Sequence, residues 1–76
     1  MPAPTRPRGV LGRRIAAQCL LHNMTMAELA AAIGVNPKTL SGYVRGHVAP
    51  RRRRLLAMAA HLGVSVEYLL GRTDVP

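Results

Sequence analysis

Basic side chains are the most prominent functional groups in this sequence. The chain of 76 residues carries eleven Lys and Arg side chains against three Asp and Glu, which gives a formal net charge of +8. Four of the arginines are consecutive, from Arg51 to Arg54. A charge balance of this kind favours a polyanionic partner, with nucleic acid the first choice and an anionic membrane surface the second.

Catalytic and metal-binding groups form no comparable pattern. His22, His47 and His61 fall on separate predicted elements and have no second ligand at the spacing of a zinc site. The three acids are scattered, and no glycine-rich loop follows a strand to hold a phosphate. The sequence therefore predicts a protein that is not an enzyme and that uses no metal, cofactor or small-molecule ligand.

The rest of the chain is organised around the stretch Thr25–Gly46. Its apolar residues recur at spacings that place them on the facing sides of two crossing helices, with a glycine between them for the turn. Thr25 and Glu28 form a T-x-x-E capping box at the start of the first helix. Asn36 before Pro37 gives the second helix a cap and an N-terminal proline. The pattern predicts a helix-turn-helix, whose second helix commonly enters the major groove of DNA.

This stretch resembles the helix-turn-helix of the phage repressor and Cro family, also called the xenobiotic-response-element regulators. The similarity continues through Leu55–Gly71, which resembles the last two helices of that family. The resemblance implies an all-α fold of five short helices, a lambda-repressor-like helix-turn-helix domain over residues 11–71. Residues 1–10, rich in proline and arginine, are predicted to be a disordered basic arm, and residues 72–76 a C-terminal tail.

The second helix of the motif, predicted over Pro37–Arg45, is expected to supply the contacts to bases. The residues predicted to face the bases are Asn36, Pro37, Lys38, Ser41 and Gly42. Lys38 is the long donor among them and suits the O6 and N7 acceptors of guanine, whereas Ser41 suits either base type. Asn36 either reaches an adenine or caps its own helix.

The DNA phosphates are expected to lie against two helix starts and the loop after the second helix, as the resemblance implies. The predicted phosphate contacts are Thr25, Met26, Arg45, His47, Arg51, Arg52, Arg53 and Arg54. Four arginines at one helix N-terminus oppose the helix dipole at about 0.3 to 1 kcal/mol each. A local violation of this kind favours a binding surface over a solvated charge run. Met26 replaces a glutamine that family members often use to grip a phosphate, which weakens that contact.

The first helix is predicted over Gly12–His22. Its predicted inward residues are Leu11, Ile15, Cys19 and Leu20, and its outward residues Arg13, Arg14 and Gln18. Family members often pair an arginine at the Cys19 position with a glutamate at the Val44 position, and both positions are apolar here. Because breaking a buried charge pair costs about 3 to 5 kcal/mol, the joint change predicts that Cys19 and Val44 touch. Cys19 is then a buried structural thiol, a commoner state than a reactive thiol beside His22.

The sequence thus predicts sequence-specific binding of double-stranded DNA by a transcriptional regulator, most simply a repressor, of phage, plasmid or bacterial origin. The resemblance implies a homodimer that meets through Val66, Leu69 and Leu70 of the last helix. Two alternatives remain open. One is an antitoxin-like or other protein-interaction module, and the other is a nucleoid or architectural DNA-binding protein with low sequence specificity.

Length and composition limit the remaining possibilities. A chain of 76 residues forms one domain, and its single cysteine excludes an internal disulfide. No apolar run approaches the roughly 18 to 20 residues of a membrane span, and the first residues lack the pattern of a signal peptide. We therefore expect a cytoplasmic, nucleoid-associated protein with no membrane partner.

Overall fold

The computed structural model of the chain describes residues 7–76. Its helices are α1 (Pro7–Leu21), α2 (Met26–Ile33), α3 (Pro37–Arg45), α4 (Arg52–Leu62) and α5 (Val66–Leu69). Residues 7–76 contain no strand, so the predicted all-α architecture of five short helices is confirmed. None of the helices in this range has both the length and the apolar character that crossing a membrane requires.

Local sequence signals fix the ends of the central helices. Thr25 Oγ1 accepts the Glu28 N–H at 3.0 Å, while Glu28 Oε1 accepts the Thr25 N–H at 2.8 Å, so the capping box is formed at α2. Asn36 Oδ1 accepts the Lys38 N–H at 2.8 Å at the start of α3. Gly34 ends α2 with φ 77°, a left-handed conformation that glycine adopts without strain. The predicted helix-turn-helix is confirmed, together with the caps of its two helices and the glycine of its turn.

The core is aliphatic and receives side chains from all five helices. Its largest side chains below 2% exposure are Ile15, Leu29, Leu40, Met58, Leu62 and Leu69. Burying a side chain of this size contributes about 1.5 to 3 kcal/mol. Tyr43, at 6% exposure, is the one aromatic ring in the core cluster. The helix-turn-helix is therefore held by α1, which packs against α2 and α3, and by α4, which packs against α2, while α5 packs against α1 and α4.

The first helix starts at Pro7 rather than at the predicted Gly12, and it ends at Leu21. Val10 is 8% exposed, and a Cβ added at Gly71 would lie 2.7 Å from Val10 Cγ1, so the start of α1 packs against the end of α5. The prediction that residues 7–10 belong to a disordered arm is therefore wrong, because Val10 has a packing partner distant in sequence. Residues 1–6, the rest of the predicted arm, lie outside the described residues.

Two predicted orientations on α1 are also wrong. Leu20 was expected to face the core but is 81% exposed, and Gln18 was expected to face solvent but is 7% exposed. The contact between α1 and α3 explains why hydrophobic periodicity assigned the buried face of α1 incorrectly. A Cβ added at Gly12 would collide with the carbonyl oxygen of Val44, so the two helix backbones touch at this glycine. The buried face of α1 thus contains a residue with no side chain, which hydrophobic periodicity does not register.

Candidate nucleic-acid interface

Helix α3 presents a polar side opposite its core-facing side. Leu40 and Tyr43 are buried, whereas Lys38, Ser41 and Arg45 are exposed. At 3.6 residues per turn these three positions share the side of α3 that faces away from the core. The exposed surface therefore offers an ammonium, a hydroxyl and a guanidinium within about two helical turns.

Asn36 is used by its own helix. Its side-chain oxygen accepts the Lys38 N–H, so the side chain serves as the cap of α3. Pro37 follows at the first helical position and is exposed, but it has no N–H to donate. Of the five residues predicted to face bases, Lys38 and Ser41 are therefore the two whose side chains are exposed and able to donate to a base.

Gly42 is partly covered by the loop that follows α3. The amides of His47 and Val48 donate to the Gly42 carbonyl oxygen at 2.9 and 3.4 Å. A Cβ added at Gly42 would lie 3.6 Å from Val48 Cγ2, in ordinary van der Waals contact. The side of Gly42 that was expected to approach a base thus meets Val48, which is itself 54% exposed. Nothing in the sequence pointed to Val48, because its place depends on the course of the loop.

The start of α2 retains few groups for a phosphate. The amides of Thr25 and Glu28 are both satisfied within the capping box. The amides of Met26 and Ala27 lie in the first turn, where helix geometry supplies no intrahelical partner. These two amides can bind an anion, but the Glu28 carboxylate lies beside them and disfavours one. Met26, at 36% exposure, adds apolar surface only.

The start of α4 is the most exposed basic part of the described chain. Arg51, Arg52 and Arg53 are exposed, as are the preceding Arg45 and His47. Arg51 occupies the cap position without a side-chain cap hydrogen bond, and no acid lies in the first turn of α4. Within residues 7–76 the side chains of these three arginines take part in no hydrogen bond or ion pair. The positive end of the helix dipole adds to their charge, so this segment favours an anion.

Arg54, the last arginine of the run, is placed differently. It is half-buried, and its Nη1 donates to the carbonyl oxygen of Ile33 at 3.0 Å. Ile33 is the last residue of α2. The four arginines that the sequence groups as phosphate contacts are therefore separated by the structure into three exposed side chains and one that bonds within the protein.

Arg14 also lies within the fold instead of pointing outward as predicted. Its Nη1 donates to the carbonyl oxygens of Tyr68 at 2.5 Å and Thr73 at 2.6 Å, and its Nη2 pairs with Asp74 Oδ1 at 2.9 Å. The guanidinium carbon lies 4.1 Å from the centroid of the Tyr68 ring. The first residues of the predicted tail are thus attached to α1, and Arg14 is removed from the cations available to a partner.

The predicted dimer surface is only partly accessible. Leu69 has 0% exposure, so its assignment to an interface is wrong: the side chain of Leu69 completes the core beneath α5. Val66 and Leu70 are half-buried and keep some surface. Leu70 also lines a mostly apolar cavity of about 410 Å³ between α1, the loop after α3 and the end of α5.

Cys19 is a structural thiol. It is 3% exposed, and burial raises the pKa of its thiol, so the protonated form is favoured and the reactive thiolate is suppressed. Val44 packs against the core cluster that contains Cys19. A direct contact between the two side chains stays a prediction. In the range 7–76 no three His, Cys, Asp or Glu side chains gather as a metal site would require.

Sequence comparison connects this architecture to known proteins. The helix-turn-helix family matches residues 15–69. The uncharacterized HTH-type transcriptional regulator YobD of Bacillus subtilis (strain 168) is 38% identical over 55 residues, which make up 72% of this chain and 49% of that protein. The chain thus spans about half the length of this relative.

Three solved structures share the fold. The transcription factor NHTF from Neisseria, described as hypothetical, superposes with a TM-score of 0.80 at 26% identity, over 92% of this chain and 83% of that one. The regulator of the clp gene, ClgR, from C. glutamicum gives 0.76 at 30%, over 88% and 87%. The P22 c2 repressor, solved in complex with a synthetic operator, gives 0.74 at 32%, over 79% and 91%.

Proposed function

The chain belongs to the helix-turn-helix family of DNA-binding transcriptional regulators, and on this premise we propose that it recognises a specific double-stranded DNA site and represses transcription there. The observation that carries the proposal is the exposed polar side of α3, formed by Lys38, Ser41 and Arg45. The likeness to the P22 c2 repressor, solved with operator DNA, supports the same role for α3.

Base recognition and phosphate binding are assigned to different residues. Lys38 donates to guanine O6 or N7 from the first turn of α3, and Ser41 bonds the next base edge. Arg45 and the exposed arginines Arg51–Arg53 bind phosphates, which adds affinity without sequence information. The α2 amides of Met26 and Ala27 add a weaker phosphate contact.

A homodimer on an inverted repeat is the proposed binding form. Two copies of α3 that enter successive major grooves double the number of bases read, which suits a helix α3 that offers two donors suited to reading bases, Lys38 and Ser41. Val66 and Leu70 are the accessible apolar residues of the predicted interface. As a regulator of transcription the protein acts in the cytoplasm, where it associates with the nucleoid.

Selection of bound sequences from a library of random duplexes tests this proposal. We expect one enriched inverted repeat, with affinity about 10³-fold or more above that for unrelated DNA. A library that stays unenriched despite strong binding would contradict the proposal. That outcome would favour a low-specificity architectural protein, a second candidate that the small number of base-reading donors on α3 supports. Copurification with a second small protein would favour an antitoxin-like role.

A further inference from the structure

Arg54 lies directly beneath the turn that joins α2 to α3. Its Nη1 donates to the Ile33 carbonyl oxygen at 3.0 Å, and a Cβ added at Gly34 would lie 3.6 Å from the same nitrogen. Gly34 is the left-handed residue of the turn. The guanidinium therefore occupies the space against the turn, 21 positions away from its acceptor along the chain.

The Ile33 carbonyl that Arg54 meets has no backbone donor of the kind that the carbonyls of Ala30 and Ala31 have. At the end of α2 the Gly34 amide donates to the Ala31 carbonyl oxygen at 3.2 Å, and the Val35 amide donates to that of Ala30 at 2.9 Å. These two bonds leave the carbonyl of Ile33, the last helical residue, for a side chain. A cation is the favoured donor at this position, because the C-terminal end of a helix carries partial negative charge.

We propose that Arg54 is a positioning residue and not a phosphate contact. Its bond joins the start of α4 to the end of α2, and so fixes the segment Arg51–Arg53 relative to the turn that directs α3. The inference rests on the proposed function, in which α3 reads bases while Arg51–Arg53 hold phosphates.

The position of α3 relative to Arg51–Arg53 matters more for specific binding than for non-specific binding. The phosphates occur regularly along any duplex, so Arg51–Arg53 find partners even if α4 shifts slightly. Lys38 and Ser41 reach base edges only when α3 enters the groove at the correct depth and angle. Loosening the link between the two parts should therefore weaken binding to the selected site more than binding to scrambled DNA.

Three variants test the inference in the full chain: Arg54→Gln, Arg54→Lys and, as a matched control from the exposed run, Arg53→Gln. For Arg54→Gln we expect a lower urea midpoint, faster amide exchange at Gly34 and Val35, and an unchanged salt slope for DNA binding. Its preference for the selected site over a scrambled duplex should fall about fivefold, in the range of couplings seen for residues that touch neither ligand. Arg54→Lys keeps a cationic donor and should recover most of the preference.

The control should behave in the opposite way. Arg53→Gln should not lower the midpoint, should leave the preference unchanged and should flatten the plot of log K against log salt by about 0.9. A similar flattening in Arg54→Gln would make Arg54 a phosphate contact and overturn the inference. A lower midpoint with an unchanged preference would reduce Arg54 to a residue that only stabilises the fold, which also overturns it.

Failure of the proposed function would give a different result. A wild-type protein that prefers no duplex would contradict sequence-specific binding. Amide exchange at Gly34 and Val35 in Arg54→Gln would then still decide whether the arginine holds the turn, since that measurement requires no DNA. Unchanged exchange rates would overturn the inference in either case.

Discussion

Arg14 and the exposed arginines Arg51–Arg53 show two uses of the same side chain within one small protein. Arg14 bonds two carbonyl oxygens, pairs with a carboxylate and lies over a tyrosine ring, with 21% of its side chain exposed. Arg51–Arg53 extend from the start of α4 and make no such contacts within residues 7–76. The first arrangement stabilises the fold, whereas the second leaves charge available to a partner.

Carbonyl oxygens, rather than carboxylates, are the main partners of the cations that bond within this protein. Three acids are too few to pair eleven Lys and Arg side chains, and carbonyl oxygens near helix ends serve as acceptors instead. Arg14 bonds the Tyr68 carbonyl near the end of α5, and Arg54 bonds the last carbonyl of α2. His22 Nε2 lies 2.8 Å from the carbonyl oxygen of Leu62, the last residue of α4. Each contact places a donor at the negative end of a helix dipole.

The largest expected effect comes from a substitution that would bury a new cation in the core, away from both water and a carboxylate. Cys19→Arg should lower the free energy of unfolding by about 3 to 5 kcal/mol, because the new cation is buried without a carboxylate. Urea unfolding of the variant and of the wild-type protein measures this difference in the free energy of unfolding. Adding Val44→Glu should restore much of the loss if the two positions face each other. A double variant no more stable than Cys19→Arg would refute that contact.

Removal of the partnered arginine should have the next largest effect. Arg14→Ala should lower the free energy of unfolding by about 2 kcal/mol, because two carbonyl oxygens lose a charged donor and the Tyr68 ring loses its cation. The matched control is Arg13→Ala, an exposed neighbour on α1, which should change stability by less than about 0.5 kcal/mol. The salt slope of DNA binding should stay the same in the Arg14 variant. Equal destabilisation by the two changes would erase the contrast between partnered and exposed arginines.

A third change separates base reading from phosphate binding among the exposed cations. Lys38→Ala should reduce discrimination between the selected site and a scrambled duplex by about 1 to 3 kcal/mol. Arg51→Ala should lower both affinities together. The measurement is binding of each variant to both duplexes at one salt concentration. Equal losses on the two duplexes for Lys38→Ala would assign it to the backbone and leave Ser41 and DNA shape as the sources of specificity.

The smallest effect on stability is expected from the exposed run itself. The double variant Arg51→Gln with Arg53→Gln should weaken binding to all sequences alike and flatten the salt dependence by about 0.9 per lost contact. Its stability should stay equal or rise slightly, since each cation at the start of α4 opposes the dipole by about 0.3 to 1 kcal/mol. Fluorescence titrations over a range of salt concentrations and urea unfolding give the two quantities. An unchanged slope would mean that these arginines form a solvated face.

The features of this protein that the sequence alone was enough to predict depend on neighbours two to four residues apart. Thr25 with Glu28 and Asn36 with the Lys38 amide form caps that any chain with this spacing can form. These local caps, the glycine between the helices and the apolar periodicity together predict the helix-turn-helix. They also predict that Lys38 and Ser41 are exposed on its second helix.

Which residues of each helix remain accessible depends instead on how the helices pack together. Val10 is part of α1, where its side chain packs against Gly71. Leu69 is buried because it packs into the core. Arg14 and Arg54 donate to backbone carbonyl oxygens 54 and 21 positions away along the chain, so their charges are not available to a partner. Such bonds depend on where helix ends come to lie relative to one another. Spacing along the chain does not encode that position, so identical arginines in one sequence acquire different roles.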